Sequence, residues 1–515
     1  MSDKGVFNIQ DFHAVPDGKT FCTKAIQSAV DACAASHGGT VYVPPGTYLS
    51  GALELRSHVA LHLDAGATIL GSPDKDDYPV HPSKTASRTN RYNLRSLILA
   101  EGLENVAITG RGTLDGNGSH FKDRRHDGER PLILRMNQCR GVLVQGITMQ
   151  NSGFWNQHYL LCERVRVNGI RVWNHATYNV DAIDIDACRN FLVSDCIFDS
   201  DDDAVCLKGT LDQPCEQVVI TNCTISSHCN AIKMGTDSSG GFKDIAISNC
   251  SIVSPRGSKA IYGLDRGISG ISLELVDGGA MERVAISNIT IDGVEVPIFV
   301  RLGARGSGMF PTEAEARAGH AVGHIRDVTL SNILATNAGQ TGCSIVGIPG
   351  HDIENLTLDN VTIRTQGGGL AAWTEAEVPE NHDKYPEATM FGKLPSYGLY
   401  CRHASGLALR NVRIEADSED TRPALVFDDV REGVVHGLRT SQPGTVPHVR
   451  IHRSRDILFT GCLPRGNGSF LAIRDAETAK VGLVGNDFRQ VGMIGEPGEK
   501  QALQMAGNLE PSGAD

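Results

Sequence analysis

Aromatic residues are scarce in this 515-residue chain, at 5%, and only three are tryptophan. No segment approaches the roughly 18 consecutive apolar residues of a membrane span, so no membrane partner is expected. The opening MSDKGVFNIQDF lacks a basic stretch followed by an apolar one, and it is not read as a secretory leader. A cytoplasmic protein and the mature form of an exported one both stay open. No C-x-x-C pair occurs among the 14 cysteines, which removes the common zinc and redox motifs. Neither a metal nor a cofactor is expected. A basic excess is missing too: 48 Lys and Arg face 60 Asp and Glu, a formal charge of −12. That excludes ordinary nucleic-acid binding, which needs a cationic face. It does not exclude an acidic sugar, because a cleft needs only a few local cations.

What the chain has in quantity is glycine, 57 residues, and a repeat. Two β-rich stretches flank a step of Gly, or of Asn or Asp followed by one residue: VLVQGITM (142–149), VRVNGIRV (165–172), FLVSDCIF (191–198), VVITNCTI (218–225) and IAISNCSI (245–252). The pattern continues as VAISNITI (284–291), VTLSNILA (328–335), LTLDNVTI (356–363) and LALRNVRI (407–414), with degenerate copies near Cys462 and Asp487. Cys196, Cys223 and Cys250 are spaced by 27 residues, Gly146 and Gly169 by 23. Each unit offers strands of alternating Val, Ile and Leu bounded by turn residues. A unit of this kind cannot bury its apolar face alone, so copies must stack. The period and strand count fit an all-β fold, a single-stranded right-handed parallel β-helix. Stacking at about 4.8 Å turns equivalent positions into ladders: Cys196, Cys223 and Cys250 on the inside, Asn222, Asn249 and Asn288 at a turn. Residues 24–35 (KAIQSAVDACAA) predict one amphipathic helix, with Ala25, Ile26, Val30 and Cys33 on its apolar face, capping the open N-terminal coil. We read one domain over 1–515: a cap region to residue 40, coils over 41–490, and inserted loops at 302–325 and 367–400.

Two acidic clusters interrupt this aliphatic pattern. NVDAIDID (179–186) carries Asp181, Asp184 and Asp186, and DSDDDAVCLKG (199–209) carries Asp199, Asp201, Asp202 and Asp203. Asp181 and Asp202 are 21 residues apart, close to one coil, which places them on neighbouring coils of one face. Carboxylates held that close cannot all ionise, so one is kept protonated. A protonated carboxyl beside an ionised one is the acid–base pair that glycoside hydrolysis needs. Solvated acidic turns or a calcium site are the plainer reading of such runs.

These residues carry a resemblance. NVDAIDI resembles the N-T-D-G-x-D segment, and DDDAVCLKG the D-D segment, of the polygalacturonases of glycoside hydrolase family 28. NSGFWNQH (151–158) is similar to that family's N-S-P-x-W stretch, and the likeness spans roughly residues 5–465. The resemblance implies an inverting hydrolase of a pectic poly- or oligosaccharide, galacturonan or rhamnogalacturonan. In it Asp202 protonates the leaving oxygen, while Asp181 and Asp203 hold and deprotonate the water.

The sequence departs from the family at two places. The G-H-G segment falls at SSHCNAIKMGTDSSGGF (226–242), with its His slot on Cys229 or Asn230 and His228 beside it. The R-I-K segment, which grips a substrate carboxylate, falls on Ser272, Leu273 and Glu274. Lys208, Lys233 and Arg266 are candidate replacements, and each also reads as a surface or ladder residue. Asn179, Trp155, His228, Tyr385 and Arg402 complete the candidate sugar contacts. Tyr385 and Arg402 belong to the aromatic insertion 375–403, which either stacks on sugar rings, blocking one end in favour of exo attack, or packs on the coil wall. Two other readings stay open: a uronate-specific β-helix lyase or epimerase, and a non-catalytic carbohydrate-binding β-helix. The oligomeric state is open as well.

Overall fold

The computed structural model describes residues 5–85, 87, 94–122, 128–255, 262–306, 321–442, 444–495 and 502–511. Most of the insertion expected at 302–325 therefore lies outside the described residues. Two compact units are present, Met1–Lys233 and Met234–Asp515. Both are built from the same coil, that of a right-handed parallel β-helix. None of the helices among the described residues is long and apolar enough to cross a membrane.

In the first unit every coil contributes to three parallel sheets. Sheet A runs through Arg140–Gln145, Glu163–Asn168, Arg189–Ser194 and Cys215–Thr221. Sheet B runs through Thr148–Gln150, Arg171–Asn174, Ile197–Ser200 and Thr224–Ser227. Sheet C runs through Leu132–Asn137, Gln157–Leu160, Ile183–Asp186 and Val205–Gly209. The register is unbroken, so Val144, Val167, Val193 and Ile220 form one fully buried column. Each such side chain contributes about 1.5–3 kcal/mol by leaving water. The expected helix forms over Thr23–Ala35 and packs on the first strands of sheet A. Its buried face is Ile26, Ala29, Val30 and Cys33, with Ala25 half-buried.

Sheets A and B alternate buried and exposed residues, as a sheet with one solvated face should. Sheet C does not. All residues of Gln157–Leu160, Ile183–Asp186 and Val205–Gly209 are buried, including outward-facing His158, Asp184, Asp186 and Lys208. Polar side chains on the outer face are thus packed together under cover, and this face carries the site.

The second unit repeats the coil, with sheets A and B merged into long strands such as Phe242–Val253, Ala280–Asp292, His324–Ala338 and Ile353–Thr365. The merging point is the asparagine of the repeat. Asn249, Asn288, Asn332 and Asn360 all adopt left-handed φ values of 52° to 56°. Their amides form a ladder: Asn288 donates to Asn249 (3.1 Å), Asn332 to Asn288 (3.0 Å) and Asn360 to Asn332 (2.8 Å). Asparagine tolerates this conformation and links to its copies above and below.

The cysteine that follows has its own reason. The thiols of Cys196, Cys223 and Cys250 donate to the carbonyls of Ser194 (3.1 Å), Thr221 (3.3 Å) and Ser248 (3.2 Å), spanning the left-handed residue between. A second series, unread in the sequence, does the same at another corner. Cys139, Cys162 and Cys188 donate to Asn137, Leu160 and Asp186, across left-handed Gln138, Leu161 and Ala187.

Replacing Asn288 by Val should cost about 1–2 kcal/mol for forcing a branched residue into the left-handed region. The two lost ladder bonds add roughly 0.5–1.5 kcal/mol each. Asn288→Gly should lose only the second contribution, and comparison of the two variants by chemical denaturation measures both.

Candidate active site

Ile183 pairs with Val205 across sheet C, and the Ala182 amide donates to the Asp203 carbonyl (2.9 Å). Carrying that register back two residues sets Asp181 beside Asp203, not Asp202. The local coil is 22 residues long, one more than the separation of Asp181 and Asp202. Asp202 occupies the preceding position, where its Oδ1 accepts from the Asp203 amide (2.8 Å). Ser200 and Ser227 donate to the Asp202 carbonyl, both at 2.7 Å, and fix the bend that presents the two aspartates. All three are almost completely buried.

Their surroundings divide the carboxyls electrically. Burial works against ionisation of Asp203, yet Lys233 Nζ lies 3.0 Å from its Oδ2 and Asn230 Nδ2 donates to its Oδ1 (2.8 Å). The cations Lys233 and Lys208, with Asn230, win, and Asp203 is held below the usual carboxylate range. Asp181 has the opposite balance. Burial, then Asp184 and Asp202, push it well above that range, and Lys208 at 3.9 Å offsets only part of this. Asp184 is raised to about 6, chiefly by burial; Lys208 Nζ, 3.2 Å from Oδ1, opposes the rise. Low-lying and high-lying carboxyls therefore share one small, dry space.

Lys208 and Lys233, read from the sequence as sugar contacts, are thus ion-paired with aspartates. Lys208 also lies 4.7 Å from the Trp155 ring centre. Trp155 is only 8% exposed and stacks on Phe154 at 5.2 Å over Leu132, so the ring serves mostly as wall. Asn179 adopts a left-handed φ of 50° and accepts from Arg130 (3.0 Å). His228 Nδ1 lies 3.0 Å from Asp201 Oδ1, and His175 Nδ1 lies 2.7 Å from the same oxygen. Burial works against the charge on His175, but Asp199 and Asp201 raise it to about 9. Burial pushes His228 down, so this trio is one imidazolium shared with two carboxylates and a neutral ring.

Three groups have ligand atoms close enough for a metal: His175, Asp201 and His228; Asp181, Asp184 and Cys206; Asp202, Asp203 and Cys229. Lys208 stands against the second group and Lys233 against the third. A cation already in place makes both poor hosts for a second.

Arg266, Tyr385 and Arg402 belong to the second unit. Arg266 lies 3.5 Å from Asp265 and donates to the Asn337 carbonyl (3.3 Å). Tyr385 is exposed, with Arg305 5.8 Å from its ring centre. Arg402 is buried, donates to the Val378 carbonyl (2.7 Å) and pairs with Glu380. Phe391, Tyr397 and Tyr400 of the insertion are buried against the coil wall, leaving Tyr385 as its exposed ring. The slot of the R-I-K segment is filled by a closed polar knot. Glu274, fully buried, accepts from Ser272 (2.7 Å) and Thr236 (3.0 Å).

One positioning residue had no sequence signal. Arg130 lies outside every repeat, yet it is buried and donates to the carbonyls of Gly153 and Tyr178 and to Asn179. It also stacks over the rings of Tyr178 (3.8 Å) and Phe154 (4.6 Å), tying together the segments that precede Trp155 and Asp181.

Comparison with known proteins gives a consistent answer. The family model described as Glycosyl hydrolases family 28 matches residues 33–382. A probable polygalacturonase of Vitis vinifera is 29% identical over 381 residues, 69% of this chain and 74% of its own length. An exo-poly-alpha-D-galacturonosidase of Dickeya chrysanthemi is 27% identical over 266 residues, 41% of this chain and 43% of that protein. Among solved structures, an exopolygalacturonase from Thermotoga maritima superposes with a TM-score of 0.59 at 24% identity, covering 70% of this chain and 87% of that one. A likeness at that identity shows the fold.

Asp184 provides a pH test. Its folded pKa, about 6, lies above the ordinary carboxylate value, so the folded state holds the proton longer than the unfolded chain. Its contribution to stability is therefore best below pH 4 and declines as pH rises from about 4 to about 6. In Asp184→Asn that decline should shrink, seen as a flatter melting temperature across this window. Lys233→Met should act in the other direction, leaving Asp203 uncompensated at a cost of about 3–5 kcal/mol near neutrality.

Proposed function

Because the chain belongs to glycosyl hydrolases family 28 and is therefore an O-glycosyl hydrolase, we propose that it cleaves a galacturonate-containing pectic glycan with inversion, using Asp181, Asp202 and Asp203. The observation that carries this reading is the electrical division of one buried cluster. Asp203 is held ionised by Lys233 and Asn230, while Asp181 and Asp202 raise each other's cost of ionisation. An ionised base and a proton-holding pair thus coexist at one pH, as a two-carboxylate hydrolysis requires.

In the proposed cycle Asp202 hands its proton to the leaving glycosidic oxygen. Asp203 takes a proton from the attacking water, and Asp181 orients that water. Lys208 and Lys233 keep the excess negative charge of the cluster from closing it to an anionic sugar. Their ion pairs also weigh against a lyase, which needs a basic side chain to abstract a carbon-bound proton. Attack from the chain end is the preferred mode, since the Dickeya relative carries an exo-acting name.

Polygalacturonate and rhamnogalacturonan oligomers provide the test. We expect new reducing ends whose first-formed anomer, followed by proton NMR, is inverted relative to the linkage. Exo attack releases the smallest sugars from the start, without intermediate sizes. Ultraviolet absorbance from an unsaturated uronate would instead establish a lyase. Asp202→Asn and Asp203→Asn should each lower kcat by about 10²–10⁴-fold, the usual size of an acid–base contribution.

A further inference from the structure

The second unit holds a cationic cleft of about 540 Å³ that plays no part in the acid–base cluster. Arg402, Arg450, Arg453 and Arg474 line it, against the carboxylates of Glu375, Glu377 and Asp428. In a chain of net charge −12, four guanidiniums around one cavity are a local inversion of sign. The arginines arrive there through register. Val426 and Asp428 lie beside Arg450 and His452 across the parallel strands Leu425–His436 and Val449–His452, and Tyr400 and Arg402 lie on the other side. Successive coils therefore stack their outward side chains into one wall.

The cleft is assembled rather than casual. Asp428 is the floor: it accepts from Arg453 (2.6 Å) and from the Tyr400 hydroxyl (2.8 Å), and His452 Nδ1 lies 3.1 Å away. These partners keep its carboxyl below the ordinary range although burial works the other way. Arg450 is buried and donates to the Thr374 carbonyl (2.6 Å) and to Glu375 (3.2 Å), anchoring the insertion as the opposite wall. Val378, Val426 and Pro395 add apolar surface beside the charges.

Counting the lining, the four guanidiniums exceed the three carboxylates by one positive charge. That excess matches a monovalent carboxylate and not a dianionic phosphate or sulfate. An apolar wall beside guanidinium forks is what a sugar ring bearing one carboxylate needs: the forks take the two oxygens and the ring's C–H face takes the wall. The geometry points to a second saccharide site here, a pocket for a uronate residue that holds an acidic glycan without cleaving it. This inference rests on the reading of an acidic pectic substrate, and it supplies the cations that the missing R-I-K arginine and lysine leave wanting.

Full-length Asp202→Asn protein, blocked in turnover, is titrated with trigalacturonate by calorimetry. Two binding events are expected. Adding Arg474→Glu, at an exposed residue on the cleft, should remove or weaken one of them at least tenfold, the size of a lost charge-assisted contact. Arg474→Gln should weaken the same event less, and matching circular dichroism and melting curves confirm that both variants fold. A single event untouched by Arg474→Glu overturns the inference. So does displacement of trigalacturonate from the Arg474-dependent site by sulfate as readily as by galacturonate. Failure of wild-type protein to hydrolyse any pectic glycan is read separately, by product analysis, and bears on the proposed function and not on this binding.

Discussion

Parallel stacking in register, about 4.8 Å per coil, is the constraint from which everything else in this molecule follows. Once the register is unbroken, a side chain cannot be considered alone, because its neighbours are its own equivalents above and below. For Val144, Val167, Val193 and Ile220 this is favourable, and the core is a set of aliphatic columns. For charges it is a problem. Asp181 beside Asp203, and Asp184 beside Cys206 with Lys208 within 3.2 Å, exist only because opposite charges were placed in neighbouring rungs.

That placement explains why catalysis and stability are entangled in sheet C. Each lysine that neutralises an aspartate also sets its protonation. Lys233 makes Asp203 a base, whereas Lys208 is shared between Asp181 and Asp184 and cannot fully offset the burial of either. A single cation more would ionise the whole cluster, and one fewer would protonate it. The balance of two lysines against Asp181, Asp184, Asp202 and Asp203 leaves protonated and ionised carboxyls side by side, the condition for moving one proton in and another out.

The coils were legible because the step between strands demands special residues. Asn249 and Asn288 are read from sequence as a turn ladder, and their left-handed φ values and amide bonds supply the reason. The Cys196 and Cys223 positions are legible for a related reason: a small thiol fits inside and donates across that turn. The second cysteine series was not, since Leu161 and Ala187 give no hint of a left-handed residue before them. The aspartates were legible as clusters, but their partnership was not resolved: 21 residues suggested Asp181 against Asp202, whereas the 22-residue coil sets it against Asp203. Arg130 was illegible altogether, because it acts through backbone carbonyls that sequence does not place.

The lysines show the limit most clearly. A cation near a sugar-cleaving centre looks, in sequence, like a hand for the substrate, and Lys208 and Lys233 were read so. In the fold each is already pledged to a buried carboxylate, because leaving an aspartate unpaired in a dry rung costs more than any surface contact would return. The cations that can meet an anionic glycan must then sit where outward charges are not needed to hold the coil together. Arg474, on the rim of the second unit's cleft, meets that condition: it is exposed, and the cleft floor is already neutralised by Arg453. Substrate affinity and proton transfer can in this way be assigned to different rungs of one architecture, each tuned without disturbing the other.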